Sequence, residues 1–187
     1  MFDKVLVAID RSSSHQSVFE AALTLAKALS GKLILLSVPS PDDPACPHLP
    51  TLNTNLYPMG FDRTVTEVYE ELWEIYTKKG EEFLTSLVEE ANAAGITAEF
   101  LQIPGNPGRT ICATAQELNV DLIVLGRRGH SGLNELFLGS TSNYVLHHAP
   151  CSVLVVQHSF TDMSADSPET KARTESGAAM TMAVTSS

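Results

Sequence analysis

The chain has 187 residues, with 12 Lys and Arg against 22 Asp and Glu, for a formal charge of −10. A length of this order and a 43% apolar fraction suit one domain with a full core. The acidic balance argues against nucleic-acid binding, which rewards clustered Lys and Arg, and no apolar run reaches the roughly 18 residues of a membrane span.

Val5 to Ile9 is a short continuous apolar run, the pattern of a strand buried on both faces. It is too short for a secretory signal and is followed at once by Asp10 and Arg11. A serine turn comes next. Ser13 with Gln16 makes a capping-box pattern, and Val18, Ala22, Leu25 and Leu29 recur at helical spacing. Gly31 is expected to close that helix. Leu33 to Val38 reads as a second buried strand.

The rhythm breaks at Pro39. Six prolines fall between Pro39 and Pro58, so residues 39–61 form a long proline-rich insertion. It leaves the second strand at its C-terminal end. It is expected either to cover a neighbouring crevice or to pack on the following helix or another subunit. A helical pattern then runs over about 62–94, with Val65, Val68, Leu72, Ile75, Tyr76, Phe83, Leu87 and Ala91 as its apolar positions. Tyr69, Trp73 and Tyr76 are read as packing residues. Gly80 inside the helix costs about 1 kcal/mol relative to Ala and predicts a bend or a split. Residues 61–100 hold ten acids and three bases, so most of the negative charge lies here, on a solvated face.

Gly95 ends this helix, and Ile96 to Ile103 is a third strand. Asn106 followed by Pro107 is a cap with proline at the first helical position; Ile111, Ala115 and Leu118 line the inner face. Asp121 to Leu125 is a fourth strand. A glycine-rich loop from Gly126 to Gly139 leads into a helix over about 140–148, stopped by Pro150, and residues 152–156 form a fifth strand. From Thr161 to Ser187 there is no Leu, Ile, Phe, Trp or Tyr, so residues 161–187 are expected to be a disordered tail after a 1–160 domain.

Strand–helix alternation with apolar strands predicts an α/β fold, an open five-stranded parallel sheet with helices on both faces. In order 3-2-1-4-5 the first and fourth strands flank the switch-point crevice where ligands bind. Their outgoing loops, residues 10–14 and 126–139, are the most unusual in the sequence. Gly126 admits a ligand close to the backbone, and the helix opened by Gly139, Ser140, Thr141 and Ser142 offers N–H groups and hydroxyls to an anion. Arg127, Arg128 and His130 add positive charge, a combination suited to a di- or triphosphate. His147, His148 and Cys151 lack a second cluster to complete a zinc site. The three cysteines, Cys46, Cys112 and Cys151, are far apart and odd in number, which fits free thiols in a reducing cytoplasm.

The spacing Gly126-x2-Gly129-x9-Gly139-Ser140, followed by Leu146-His147-His148-Ala149-Pro150-Cys151 and an apolar strand, resembles the universal stress protein family in its nucleotide-binding branch. Val5 to Asp10 with its serine run, and Gly105-Asn106-Pro107 before a helix containing Ile111, resemble it too. The resemblance covers roughly residues 1–158. It implies strand order 3-2-1-4-5, a homodimer paired through the last strand (Val153 to Val156), and ATP or a related adenine nucleotide in the crevice, with Mg²⁺ held through its phosphates. Carried over by motif position, Ala8 and Asp10 lie at the adenosine end and Val38 meets adenine. Gly126, Arg127, Gly129 and His130 wrap the ribose and phosphates, and Gly139, Ser140 and Thr141 meet the phosphates. Two departures stand out: Ser152 follows Cys151 where the family often has proline, and the 39–61 insertion is long. The implied role is a nucleotide-gated regulatory module in the cytoplasm. Alternatives are a slow ATPase using Asp10 and a metal-bound water, or a nucleotide-free dimeric interaction protein. Walker, dinucleotide and nucleophile-elbow motifs are missing, and the glycine loop has no lysine, so hydrolysis is expected to be slow at most.

Overall fold

The computed structural model describes residues 2–12, 14–40, 43, 45–47, 63–127 and 138–157. Five strands, β1 (Lys4–Ala8), β2 (Lys32–Ser37), β3 (Ala98–Gln102), β4 (Leu122–Gly126) and β5 (Ser152–Val156), alternate with four helices, α1 (His15–Leu29), α2 (Arg63–Ala93), α3 (Pro107–Glu117) and α4 (Ser140–His148). The strands form one parallel sheet in the order β3-β2-β1-β4-β5, as the sequence predicts.

Alternation along the strands sorts the core into two layers. Val5, Val7, Leu33, Leu35 and Val124 pack with Phe19 and Ala22 of α1 and Leu84, Leu87 and Ala91 of α2. Leu6, Ile34, Leu36, Ile123 and Leu125 face the other way, onto Ile111 and Ala115 of α3 and Val145 of α4. The central strands are therefore apolar throughout because both their faces are covered. The edge strands β3 and β5 are only half-buried, with Glu99, Ser152 and Leu154 exposed. No described helix is long and apolar enough to cross a membrane.

Boundaries differ from expectation in instructive places. Ile9 lies beyond β1, although its N–H still donates to the Leu36 carbonyl at 3.0 Å. The third strand is shorter than Ile96 to Ile103, because Gly95, with φ +81°, turns the chain and Ile96 N–H still caps the Ala91 carbonyl. The capping residue of α1 is Ser14, with no side-chain cap bond; Gln16 instead donates to Glu20 at 2.9 Å. Ser13 lies outside the described residues. Gly80 does not split α2, which runs as one 31-residue helix. A Cβ at Gly80 would sit 2.7 Å from Oε1 of Gln102, so glycine leaves room for the Gln102 amide over the helix.

Gly31 has a similar explanation. The left-handed residue that ends α1 is Ser30, at φ 55°, not Gly31. Gly31 donates its N–H to the Ala26 carbonyl, and a Cβ on it would lie 2.9 Å from the Phe2 carbonyl oxygen and 3.2 Å from that of Asp3. The glycine is needed because the start of β2 passes against the backbone leading into β1. Ser30→Gly should therefore stabilise the fold by about 0.5–1 kcal/mol, the left-handed penalty less the glycine entropy. Gly31→Ala should destabilise it by about 1–3 kcal/mol, since backbone atoms must move. Urea unfolding of both variants checks the opposite signs.

At the same edge of the sheet, Asp121 ties β4 to β1. Its Oδ2 accepts from the backbone N–H groups of Asp3 and Lys4 at 2.8 and 2.9 Å, and its own N–H donates to the Lys4 carbonyl. The Lys4 and then the Asp3 backbone bonds hold its carboxyl below the ordinary aspartate range. A depressed carboxylate pKa adds stability above the unfolded value of about 3.9, and that stability is lost as pH falls through the folded value. Asp121→Asn should weaken the fold at neutral pH and by less as the solution is acidified below pH ~4, a convergence that denaturant titrations at several pH values measure.

Candidate nucleotide-binding crevice

β1 has β2 on one side and β4 on the other, and the register sets Ala8 level with Leu36 and Leu125. The chain therefore leaves this edge in diverging directions, and the crevice of a doubly wound sheet opens above Ala8. A cavity of about 580 Å³ lies here, inside the roughly 300–1,000 Å³ range of ligand pockets. Its floor is Ala8, Ile9, Leu36, Leu125 and Gly126.

One wall is the start of α4, where Gly139, Ser140, Thr141 and Ser142 line the cavity. Gly139 is the cap residue and offers no side chain to the first-turn N–H groups. Those donors and the helix dipole face the cavity, the arrangement that receives an anion. Two bonds hold this wall to the sheet. Ser142 Oγ donates to the Gly126 carbonyl at 2.7 Å, and Gly139 N–H donates to the Arg127 carbonyl at 2.9 Å. Ser142 is thus a strut between α4 and β4, with its hydroxyl proton committed to the backbone.

The opposite wall carries carboxylates. Asp10 accepts from the Ser12 backbone N–H at 3.1 Å and from the Ser12 hydroxyl. Ser12 Oγ also lies 2.9 Å from Ser14 Oγ, and His15 Nδ1 lies 2.7 Å from the Ser12 carbonyl. Asp10 therefore shapes the turn that feeds α1. Val38, Ser40, Asp43 and Tyr76 complete this side. Tyr76 donates its hydroxyl to Asp43 Oδ2 at 2.6 Å, and the Arg11 guanidinium sits 4.6 Å from the Tyr76 ring centroid. Burial, and after it the Asp43 carboxylate, pushes the Tyr76 phenol up, so the hydroxyl remains a donor.

Of the residues singled out from sequence, Ala8, Asp10, Val38, Gly126, Gly139, Ser140 and Thr141 line one cavity. Arg127 does not line it: its N–H donates to the Val156 carbonyl and its carbonyl receives Gly139, so its backbone spans β5 and α4. Gly129, His130 and Arg128 lie outside the described residues, as do most of the 39–61 insertion and the whole 161–187 tail. Among the described residues no three His, Cys, Asp or Glu groups come together to hold a metal.

Sequence reasoning missed Arg11, Ser40, Asp43 and Tyr76 as lining residues. Asp43 and Tyr76 are 33 positions apart, on the insertion and on α2, and no local pattern marks such a pair. The described part of the insertion packs on α2 through them. Asp43 also accepts from the Ala45 N–H at 2.9 Å, and Cys46 is buried beneath the turn. Burial, reinforced by Asp43, raises the Cys46 thiol above its ordinary value.

The universal stress protein family model matches residues 1–157. Universal stress protein Sll1388 of Synechocystis sp. is 36% identical over 164 residues, covering 84% of this chain and 99% of that protein. The chain belongs to the universal stress protein family. YxiE of Bacillus subtilis, another universal stress protein, is 36% identical over 158 residues and is covered over its whole length, against 84% of this chain. Among solved structures, UspA from Lactobacillus plantarum has a TM-score of 0.66 at 24% identity, covering 83% of this chain and 97% of that one. A universal stress protein in complex with cAMP has a TM-score of 0.54 at 23% identity, over 84% and 98% of the two chains. A family protein of Arabidopsis thaliana with AMP bound reaches 0.58 at 19% identity, over 88% and 97%. These structural likenesses establish the universal stress protein fold.

Tyr76→Phe removes the donor that holds Asp43. It should cost about 1.5–3 kcal/mol, in the range of hydrogen bonds to charged acceptors. It should also free the turn over Cys46, so site-resolved thiol labelling should speed up at Cys46 while Cys112 and Cys151 keep their rates.

Proposed function

We propose that the protein binds an adenine nucleotide, with ATP as the nucleotide and Mg²⁺ on its phosphates, and works as a nucleotide-gated regulatory module in the cytoplasm. The observation that carries this reading is the uncapped first turn of α4 facing a cavity of ligand size at the switch point. The two walls differ in kind. Phosphates suit the α4 side, which carries donors and no described carboxylate, and the nucleoside suits the side of Val38, Ser40 and Tyr76. Family relatives with AMP or cAMP bound support an adenine ligand. The acidic net charge and three free thiols support a cytoplasmic protein that does not bind nucleic acid.

Slow turnover fits the same residues. No lysine lines the cavity among the described residues, and the Asp10 carboxylate is occupied by Ser12. Asp10→Asn should leave any phosphate release with Mg²⁺ at its low basal rate. We also propose a twofold dimer through β5, the last described strand of the sheet, whose Leu154 is exposed.

Gly139→Val puts a branched side chain where the helix start would meet a phosphate. Calorimetry should show ATP affinity falling tenfold or more in a folded variant. Unchanged affinity in folded Gly139→Val would remove α4 from the site, and mass spectrometry of the purified protein identifies which adenine nucleotide, if any, accompanies it.

A further inference from the structure

A nucleobase needs a flat surface to lie on, and proteins supply one with an aromatic ring or a guanidinium plane. Among the described residues three flat side chains line the cavity: Arg11, His15 and Tyr76. His15 is tied to its own turn. Its Nδ1 lies 2.7 Å from the Ser12 carbonyl, and its ring meets Phe83 edge-on at 5.0 Å between centroids. Tyr76 is only 8% exposed, and the Arg11 guanidinium lies over its ring, 4.6 Å from the centroid. Arg11 itself is half-buried, just past the end of β1.

We propose that Arg11, seated on Tyr76, is the platform on which the nucleobase stacks, and that it gives the cavity a preference for purines. This rests on the adenine-nucleotide reading above and adds to it a residue that reads the base.

Three elements far apart in sequence hold the platform. Arg11 follows β1, Tyr76 belongs to α2 and Asp43 to the segment after β2. Asp43 Oδ2 accepts the Tyr76 hydroxyl at 2.6 Å, and Trp73 meets the Tyr76 ring at 5.8 Å, so the ring is pinned at its hydroxyl and packed from the side. An arginine already laid on a fixed ring loses little further freedom when a base is laid on it. Val38 and Ser40 line the same wall.

Charge decides which part of the nucleotide Arg11 meets. The guanidinium and the Asp43 carboxylate act on the Tyr76 phenol in opposite directions, so the two charges offset each other there. Asp10, the preceding residue, lines the cavity as well. A phosphate gains little beside two carboxylates, whereas a neutral base carries no charge for them to repel and still gains from stacking on a cation. The larger π face of a purine gains more than that of a pyrimidine.

The test uses the full-length chain, unmodified and as Arg11→Leu and Arg11→Lys, with urea unfolding to show that each is folded. Each is titrated calorimetrically with ATP, CTP and inorganic tripolyphosphate. Both variants should bind ATP about tenfold more weakly and lose most of the preference for ATP over CTP, while tripolyphosphate binds as it does to the unmodified chain. Lysine keeps the charge and discards the plane, so its loss of affinity separates stacking from charge. ATP affinity undiminished in Arg11→Lys overturns the platform and leaves the nucleotide reading in place. Equal losses for ATP and tripolyphosphate also overturn it, since Arg11 would then meet a phosphate or shape the whole cavity. If the unmodified chain binds no ATP, the nucleotide reading fails and the platform with it.

Discussion

Everything at the crevice depends on β1 having a parallel neighbour on each side. Ala8 is level with Leu36 across one ladder and with Leu125 across the other. Right-handed crossovers then send α1 to one face and α3 and α4 to the other. Three chain exits meet at one edge and part from one another, and the gap between them is filled only by what lines it. Val5, Leu6 and Val7 are fully buried, so the strand that sets this geometry is also the least able to shift. The loops can vary around it without moving the floor of the cavity.

The two walls are held by different means, and that gives the crevice its polarity. On the α4 side the struts are backbone-centred: Ser142 to the Gly126 carbonyl, Gly139 to the Arg127 carbonyl, Arg127 to Val156. Using carbonyls as the acceptors leaves the N–H groups of the first helical turn pointed at the cavity. On the other side the contacts are made by side chains with charge, Asp10 on Ser12 and Asp43 on Tyr76 beside Arg11. Carboxylates there repel an anion that the α4 dipole attracts, so a charged ligand has a preferred direction before any base or sugar is read.

Legibility in the sequence follows how local the cause is. Helix α4 and strand β5 were predicted residue for residue because Gly139 and Pro150 punctuate them, and Asn106 with Pro107 marks α3 just as plainly, its Oδ1 accepting from Arg109 N–H at 3.2 Å. Seven of the expected site residues share one cavity because strand ends can be read from apolar runs. Gly31 was misread because a glycine after a helix has two separate uses, a left-handed turn or a close approach, and the second depends on Phe2 and Asp3, remote in sequence. Asp43 and Tyr76 were missed as a pair for the same reason. Periodicity lists Val68, Leu72 and Ile75 among the apolar positions of the helix beside Leu87 and Ala91, but only the latter two join the core, since spacing does not say what covers a face.

Gly80 shows how a single residue can separate the two halves of α2. It costs helix propensity, about 1 kcal/mol against Ala, yet the helix continues through it unbroken. The Gln102 side chain of β3 reaches over the glycine, its Nε2 donating to the Thr77 carbonyl at 3.3 Å. A larger residue would have to displace the Gln102 amide, whose Oε1 would lie 2.7 Å from a Cβ there. C-terminal to Gly80 the sheet supplies the packing that keeps α2 helical. N-terminal to it the described contacts include the Gln102–Thr77 bond, the Asp43–Tyr76 bond, Arg11 over the Tyr76 ring and the stacked aromatics Tyr69, Trp73 and Tyr76. The helix is therefore held to the sheet by its C-terminal half, through Leu84, Leu87 and Ala91, whereas Val68, Leu72 and Ile75 of its first half stay exposed.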